Sequence, residues 1–275
     1  MTSAGATVVS WNDFKSQTTL LIEQARTEHA SILFRGHASS QWDLETTLER
    51  STHSDSVTDY YGMVLRIKSE IEALTGLKWP DDADVDYPKI QKLCSAYEDF
   101  SMRFSRQAPP HYAYLSYLRH HGFPSPLLDW STSRFVAAFF AFRARPIAEN
   151  VAIFAYRDRD RSGMKVGGND VPAIRVCGPY VSGPKRHFAQ RSQYTTCTIW
   201  DDNGPYFLSH NDVCKPFDPK KDFQQDIIFK FELPTSEREK AMIELEDYGL
   251  NAFGLFGSEE GLMESLSLRE EFSVT

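Results

Sequence analysis

Residues 129–145, DWSTSRFVAAFFAFRAR, carry the strongest single structural signal in the chain. From Phe135 to Phe142 eight consecutive apolar residues leave no polar face, which predicts a helix over 131–145 buried on several sides. Asp129 or Ser131 can cap its start, and Pro146 stops it after Arg145. Just beyond, Val151–Tyr156 (VAIFAY) reads as a strand lying behind the helix.

The pattern extends from this centre in both directions. Ser31–Arg35 (SILFR) predicts a short strand stopped by Gly36. Upstream, Trp11, Phe14, Leu21, Ile22 and Ala25 recur at helical spacing, giving a helix over 11–28 that Ser10 and Asp13 begin. Tyr60, Val64, Ile67, Ile71 and Leu74 stripe a second helix over 59–75. A solvated loop rich in Asp and Pro follows at 79–88, and helical pattern resumes over 90–106 and 112–120. Residues 157–185 read as glycine- and proline-rich loops with brief strands. Tyr194–Trp200 and Asp226–Leu233 are strands by their β-branched and aromatic content. Ser236 and Glu239 form a capping box for a helix to Tyr248, Gly249 ends it, and a last helix covers 259–268. Segregated elements of this order predict an α+β fold with an N-terminal helical region. One domain over 1–275, with a helical subregion at about 55–120, is the economical division.

Composition limits the function. The chain has 275 residues, 41% of them hydrophobic and 25% charged, enough for a substantial core. With 30 Lys and Arg against 38 Asp and Glu the net charge is −8, so general nucleic-acid binding is not expected, although a local phosphate pocket is compatible. The longest apolar run is far below the roughly 18–20 residues a membrane span needs. No basic n-region or apolar h-region opens the sequence, and a cytoplasmic protein is expected. Cys94, Cys177, Cys197 and Cys214 form no C-x-x-C pair, so they are expected as packed thiols, and no metal site is expected. The P-loop, the Rossmann glycine motif, the G-x-S-x-G elbow and H-E-x-x-H are all absent from the sequence.

Three groups of polar residues remain. Arg35 ends a hydrophobic strand, where a guanidinium can grip phosphate or carboxylate bidentately; a core-edge ion pair is the alternative. In residues 119–133, RHHGFPSPLLDWSTS, the hydroxyls of Ser131, Thr132 and Ser133 and the Asp129 carboxylate gather at a helix start, which suits a polar ligand or simple capping. His120 and His121 are adjacent, so on a helix at most one faces a site. Lys185–Tyr194, KRHFAQRSQY, concentrates Lys185, Arg186, His187 and Arg191 before a strand, as a phosphate-facing patch or a solvated loop.

Taken together these segments resemble the FRG domain, named for a Phe-Arg-Gly tripeptide that is here Phe34-Arg35-Gly36. The resemblance runs from Trp11 and Phe14 through ILFRGHASSQWDLETTLER (32–50), RHHGFPSPLLDWSTS and VAAFFAF to Lys185–Ile199 and GLNAFGLFGSEEGLMESL (249–266). Arg119 stands where the family usually has Gln, Ser125-Pro126 where it has Thr-Arg, and Gly257-Ser258 where it has Pro-Asp. More distantly, a strand ending in aromatic-Arg-Gly followed by Ser-Thr-Ser is similar to the ADP-ribosyltransferase superfamily. That similarity implies a mixed, split β-sheet core around a cleft for NAD as substrate, with Arg35 and Gly36 at its phosphates and Asp129, Ser131, Thr132 and Ser133 around the nicotinamide side. The implied activity is ADP-ribosyl transfer to an acceptor macromolecule or NAD cleavage, as in a toxin or phage-defence protein. The superfamily's third mark, a Glu, falls near Gln190, and no Glu occurs from 150 to 231. A Gln orients a hydroxyl but brings no negative charge to a developing cation. Gln190 with His120 or His121 would then serve the reacting ribose. The alternatives are a non-catalytic module for a nucleotide-like ligand or a protein partner, and a hydrolase or nuclease built on His120, His121 and Asp129.

Overall fold

In the computed structural model, which describes residues 7–80, 85–105, 108–159, 165, 171–178 and 185–273, the fold is organised by a strand buried on both faces. This is β4 (Asn150–Arg157). Successive side chains of a strand point to opposite faces. Accordingly Val151, Ile153 and Ala155 enter one apolar cluster, while Ala152, Phe154 and Tyr156 enter another. Along its length β4 pairs antiparallel with β2 (Ile32–His37) on one side and β9 (Ile227–Pro234) on the other. Two short strands, β1 (Thr7–Val8) and β8 (Lys215–Pro216), join β9 in parallel.

A second group of strands is built on β6 (Ser192–Asp201), which pairs antiparallel with β3 (Leu128–Ser131), β5 (Ala173–Cys177) and β7 (Gly204–Phe207). Among the described residues the two groups form one mixed sheet in the order β1-β9-β4-β2-β3-β6-β5. They meet through a single register pair, Phe34 with Ser131. A seam therefore divides the sheet between β2 and β3. The fold is mixed α+β.

One face of the β4 side is covered by α1 (Trp11–Thr27) and α6 (Arg134–Phe142), together with α9 (Arg238–Asp247), α10 (Ala252–Phe256) and α11 (Glu259–Ser273). Arg134 fastens α6 to α1, donating to the Lys15 carbonyl and the Thr18 and Thr19 hydroxyls. Arg238 fastens α9 to the end of α6 through the Phe142 carbonyl. Over the β6 side lie α2 (Val57–Thr75), α3 (Tyr87–Leu93), α4 (Tyr97–Phe100) and α5 (Tyr112–His120), sharing a cluster with Tyr194 and Phe207.

Several boundaries differ from the expectation. The helix expected over 131–145 spans only Arg134–Phe142, and neither Asp129 nor Ser131 caps it. Residues 128–131 are consumed by pairing with β6, so Ser133 becomes the cap and accepts from the Val136 amide. Gly36 does not stop β2; the strand continues through His37, because Gly36 is the place where α6 crosses the sheet. A Cβ there would stand 1.9 Å from the Ala137 carbonyl oxygen, so only glycine permits the crossing. The helix expected over 90–106 is broken into α3, α4 and a π-turn at Ser101–Ser105, since Ser95 turns back onto the Lys92 carbonyl. Ser236 does not cap α9; Thr235–Glu237 form a 3₁₀ turn before it. The final helix reaches Ser273 where 268 was expected, because Leu268 and Phe272 still pack on the main cluster.

No helix among the described residues is long and apolar enough to cross a membrane. All four cysteines are buried thiols, and burial pushes Cys177 and Cys214 up to about 12.

Candidate functional site

The site begins at the seam. Beyond Phe34 strand β2 loses its β3 neighbour, and the Arg35 side chain fills the gap. Its Nη1 donates to the Asp129 backbone carbonyl at 2.7 Å, replacing a hydrogen bond that a continuous ladder would supply, and its Nε donates to His37 Nε2 at 2.8 Å. The guanidinium is pushed down to about 10, mainly by burial; Asp129 opposes the shift, while Arg119 and Arg50 add to it. His37 is pushed down to about 3 by burial and then by Arg35. Arg35 is thus held rigidly beside groups of its own charge.

Asp129 serves as a charge partner. Its carboxylate pairs with Arg119 at the end of α5 and lies 3.8 Å from Arg35 Nη1. Next to Arg119, His120 turns inward: its Nε2 meets His187 Nε2, and the Tyr194 hydroxyl lies 2.9 Å from each. Burial is the main reason that His120 is pushed down to about 3, with His187 and Arg186 adding to it. His121 faces outward and stacks on Tyr117, with ring centroids 4.3 Å apart.

The segment before β6 closes another wall. It forms the short helix α7 (Lys185–Ala189), whose Arg186 reaches the His120 carbonyl. The Ser131 hydroxyl donates to the Gln190 backbone carbonyl at 2.7 Å, and Gln190 Nε2 donates to the Leu255 carbonyl of α10 at 3.1 Å. Thr132 is exposed, and its amide donates to the Arg191 carbonyl. The Lys185 side chain lies outside the described residues.

These walls enclose a cavity of about 730 Å³. Arg35, Gly36, His120, Asp129, Ser131 and Gln190, all singled out in the sequence, line it; His121, Thr132 and Ser133 do not. Arg50, Arg119 and Arg186 add positive charge, and Phe34, Trp42, Trp130, Phe140, Tyr194 and Phe256 supply aromatic surface. The volume lies within the range of small-molecule sites, roughly 300–1,000 Å³, and arginine with aromatic walls suits a phosphorylated aromatic ligand. Among the described residues no group of three His, Cys, Asp or Glu side chains is placed to hold a metal.

Sequence reasoning missed one wall, formed by Gln41, Trp42, Asp43, Glu45 and Arg50. The signal was present: Leu44 and Thr46 are buried while Asp43 and Glu45 are exposed, the alternation of an extended segment.

The fold and cavity define a mixed α+β protein with an arginine-lined site at a sheet seam. Residues 30–149 match the family model of the FRG domain. The match includes Arg35, the segment 41–50, Arg119, His120, Asp129 and Ser131, and ends before α7 and the C-terminal helices. Comparison with curated proteins gave no match, and comparison with solved structures gave none.

Proposed function

We propose that the cavity binds NAD and that the protein cleaves it at the nicotinamide–ribose bond, as an ADP-ribosyltransferase-like enzyme passing ADP-ribose to an acceptor or to water. One observation carries this reading: Arg35, Ser131 and Gln190, from three distant segments, line the same cavity. Arg35, Arg119 and Arg186 give the pyrophosphate its counter-charge, and the aromatic walls take the bases. In the reaction the N-glycosidic bond breaks with its electron pair, releasing neutral nicotinamide and leaving an oxocarbenium-like ribosyl cation. The acceptor oxygen then bonds to the ribosyl carbon and gives its proton to water; His120, pushed down to about 3 mainly by burial, is neutral but too weak a base to hold it.

Mass spectrometry tests the proposal by nicotinamide released from NAD, with and without a cell extract supplying acceptors. Wild type releases nicotinamide and Arg35→Ala does not; a wild type that neither binds millimolar NAD in calorimetry nor releases nicotinamide refutes the reading. A toxin or phage-defence role in the cytoplasm would appear as growth arrest on expression of wild type but not of Arg35→Ala.

The second reading, a nucleotide-binding module without turnover, is favoured by one observation. The Ser131 hydroxyl and the Gln190 amide are both engaged in holding α7, β3 and α10 together. It expects thermal stabilisation by NAD with no nicotinamide released.

A further inference from the structure

The proposed cleavage develops positive charge on the ribose, and Gln190 brings no negative charge to meet it. Three carboxylates line the cavity: Asp43, Glu45 and Asp129. Asp129 is committed to Arg119 and lies beside Arg35, so its charge is already balanced. Glu45 makes no ion pair among the described residues. It is also the better held of the other two. The Leu44 amide before it donates to Asn211 Oδ1 at 3.2 Å, and the Thr46 amide after it donates to Glu49 Oε2 at 2.7 Å. Both flanking side chains are buried, which fixes Glu45 on the opposite, cavity-facing side. Asp43 adjoins the half-exposed Trp42. A carboxylate held in place by its backbone stabilises a cation without reorganising during the reaction.

We infer that Glu45 is the catalytic carboxylate of the NAD cleavage proposed above, facing the ribosyl cation as the glycosidic bond opens. The inference rests on that reading and deepens it. The charge comes from the segment after the Phe-Arg-Gly strand, on the opposite side of the chain's order from Gln190.

The test compares wild type, Glu45→Gln, Glu45→Asp and Asp43→Asn for nicotinamide release and, separately, for NAD affinity by calorimetry. Glu45→Gln is expected to slow release by about 100-fold, the usual loss when one electrostatic group leaves a transition state, with NAD affinity unchanged. Glu45→Asp is expected to recover part of the rate, and Asp43→Asn to slow release less than Glu45→Gln does. Because Glu45 is exposed, the folded state survives the change, which an unaltered melting temperature verifies. If Glu45→Gln turns over NAD like wild type while wild type is active, the inference falls and the proposed function stands. If Glu45→Gln loses affinity and rate together, Glu45 serves binding and the assignment is overturned. An inactive wild type removes both.

Discussion

Replacing Gly36 by alanine tests the packing on which the cavity depends. A methyl group at Gly36 would lie 1.9 Å from the Ala137 carbonyl oxygen and 2.8 Å from the Ala141 amide nitrogen. Ordinary contact begins near 3.4 Å, so helix and strand must separate by about 1.5 Å. No rotamer change can relieve this, because both opposing atoms are α6 backbone. Separation would open the contacts that Val136, Phe139 and Phe142 make in the main cluster. Overpacking a core typically costs about 1–3 kcal/mol, and an immovable backbone neighbour puts Gly36→Ala at the top, about 3 kcal/mol. At roughly 2 °C per kcal/mol for a chain of this length, the melting temperature should fall by about 6 °C. The control is Gly62→Ala in α2, where the added methyl meets the half-buried Tyr87 ring at 3.1 Å, a neighbour free to swing aside. There the gain in helix propensity, about 0.5–1 kcal/mol, should leave stability equal or higher. Thermal unfolding followed by circular dichroism reads both. A Gly36→Ala protein that melts with wild type would refute the close crossing of α6 over β2.

Two further outcomes are expected. On the proposed reading, Trp42→Ala should weaken NAD binding by about 5- to 150-fold, the range of one base–aromatic stacking contact of about 1–3 kcal/mol, read by calorimetry; equal affinity would remove Trp42 from the binding surface. Stability should also fall in mild acid. His37 and His210 are buried and held near 3, below the usual 6.5, so below pH 6.5 the unfolded chain takes up protons that the folded chain refuses. Their contribution is complete above 6.5 and falls by about 1.4 kcal/mol per histidine for each pH unit from there towards 3. Urea unfolding across this window should show a shallower fall for His210→Gln, and an identical slope would contradict the burial of neutral His210.

Legibility from sequence followed how local each signal was. The helix at Arg134–Phe142 and the strand at Asn150–Arg157 were visible because their apolar runs need no partner to be recognised. Their edges were not. Ser131 has the chemistry of a cap, but its backbone pairs with Ser192 some sixty residues away, and pairing overrides capping preference. Gly36 was misread for the same reason: a glycine that stops a strand and one that admits a crossing helix look alike without Ala137 beside it. Among the candidate residues, the Phe-Arg-Gly and LLDWS motifs led to one cavity, whereas the alternation at 43–46 marks an extended segment without telling which space it faces; that shows only when β2 has been paired on one side and left open on the other.

The arginines of the cavity run against the net charge of the chain and bear on the ligand proposed for it. A chain of net charge −8 places Arg35, Arg50, Arg119 and Arg186 around one space. Burial, and then Arg119 and Arg50, push Arg35 down to about 10 against the opposing pull of Asp129, so an anion beside it would favour its charged form. Asp129 balances part of this at the Arg119 end, while Asp43 and Glu45 add negative charge on the wall with Trp42. A ligand carrying only phosphate would leave that second wall unmatched. On the proposed reading the arginines meet the anionic pyrophosphate in the bound state, whereas Glu45 meets positive charge only as the ribosyl cation forms, so the acidic wall acts on rate and the basic wall on affinity.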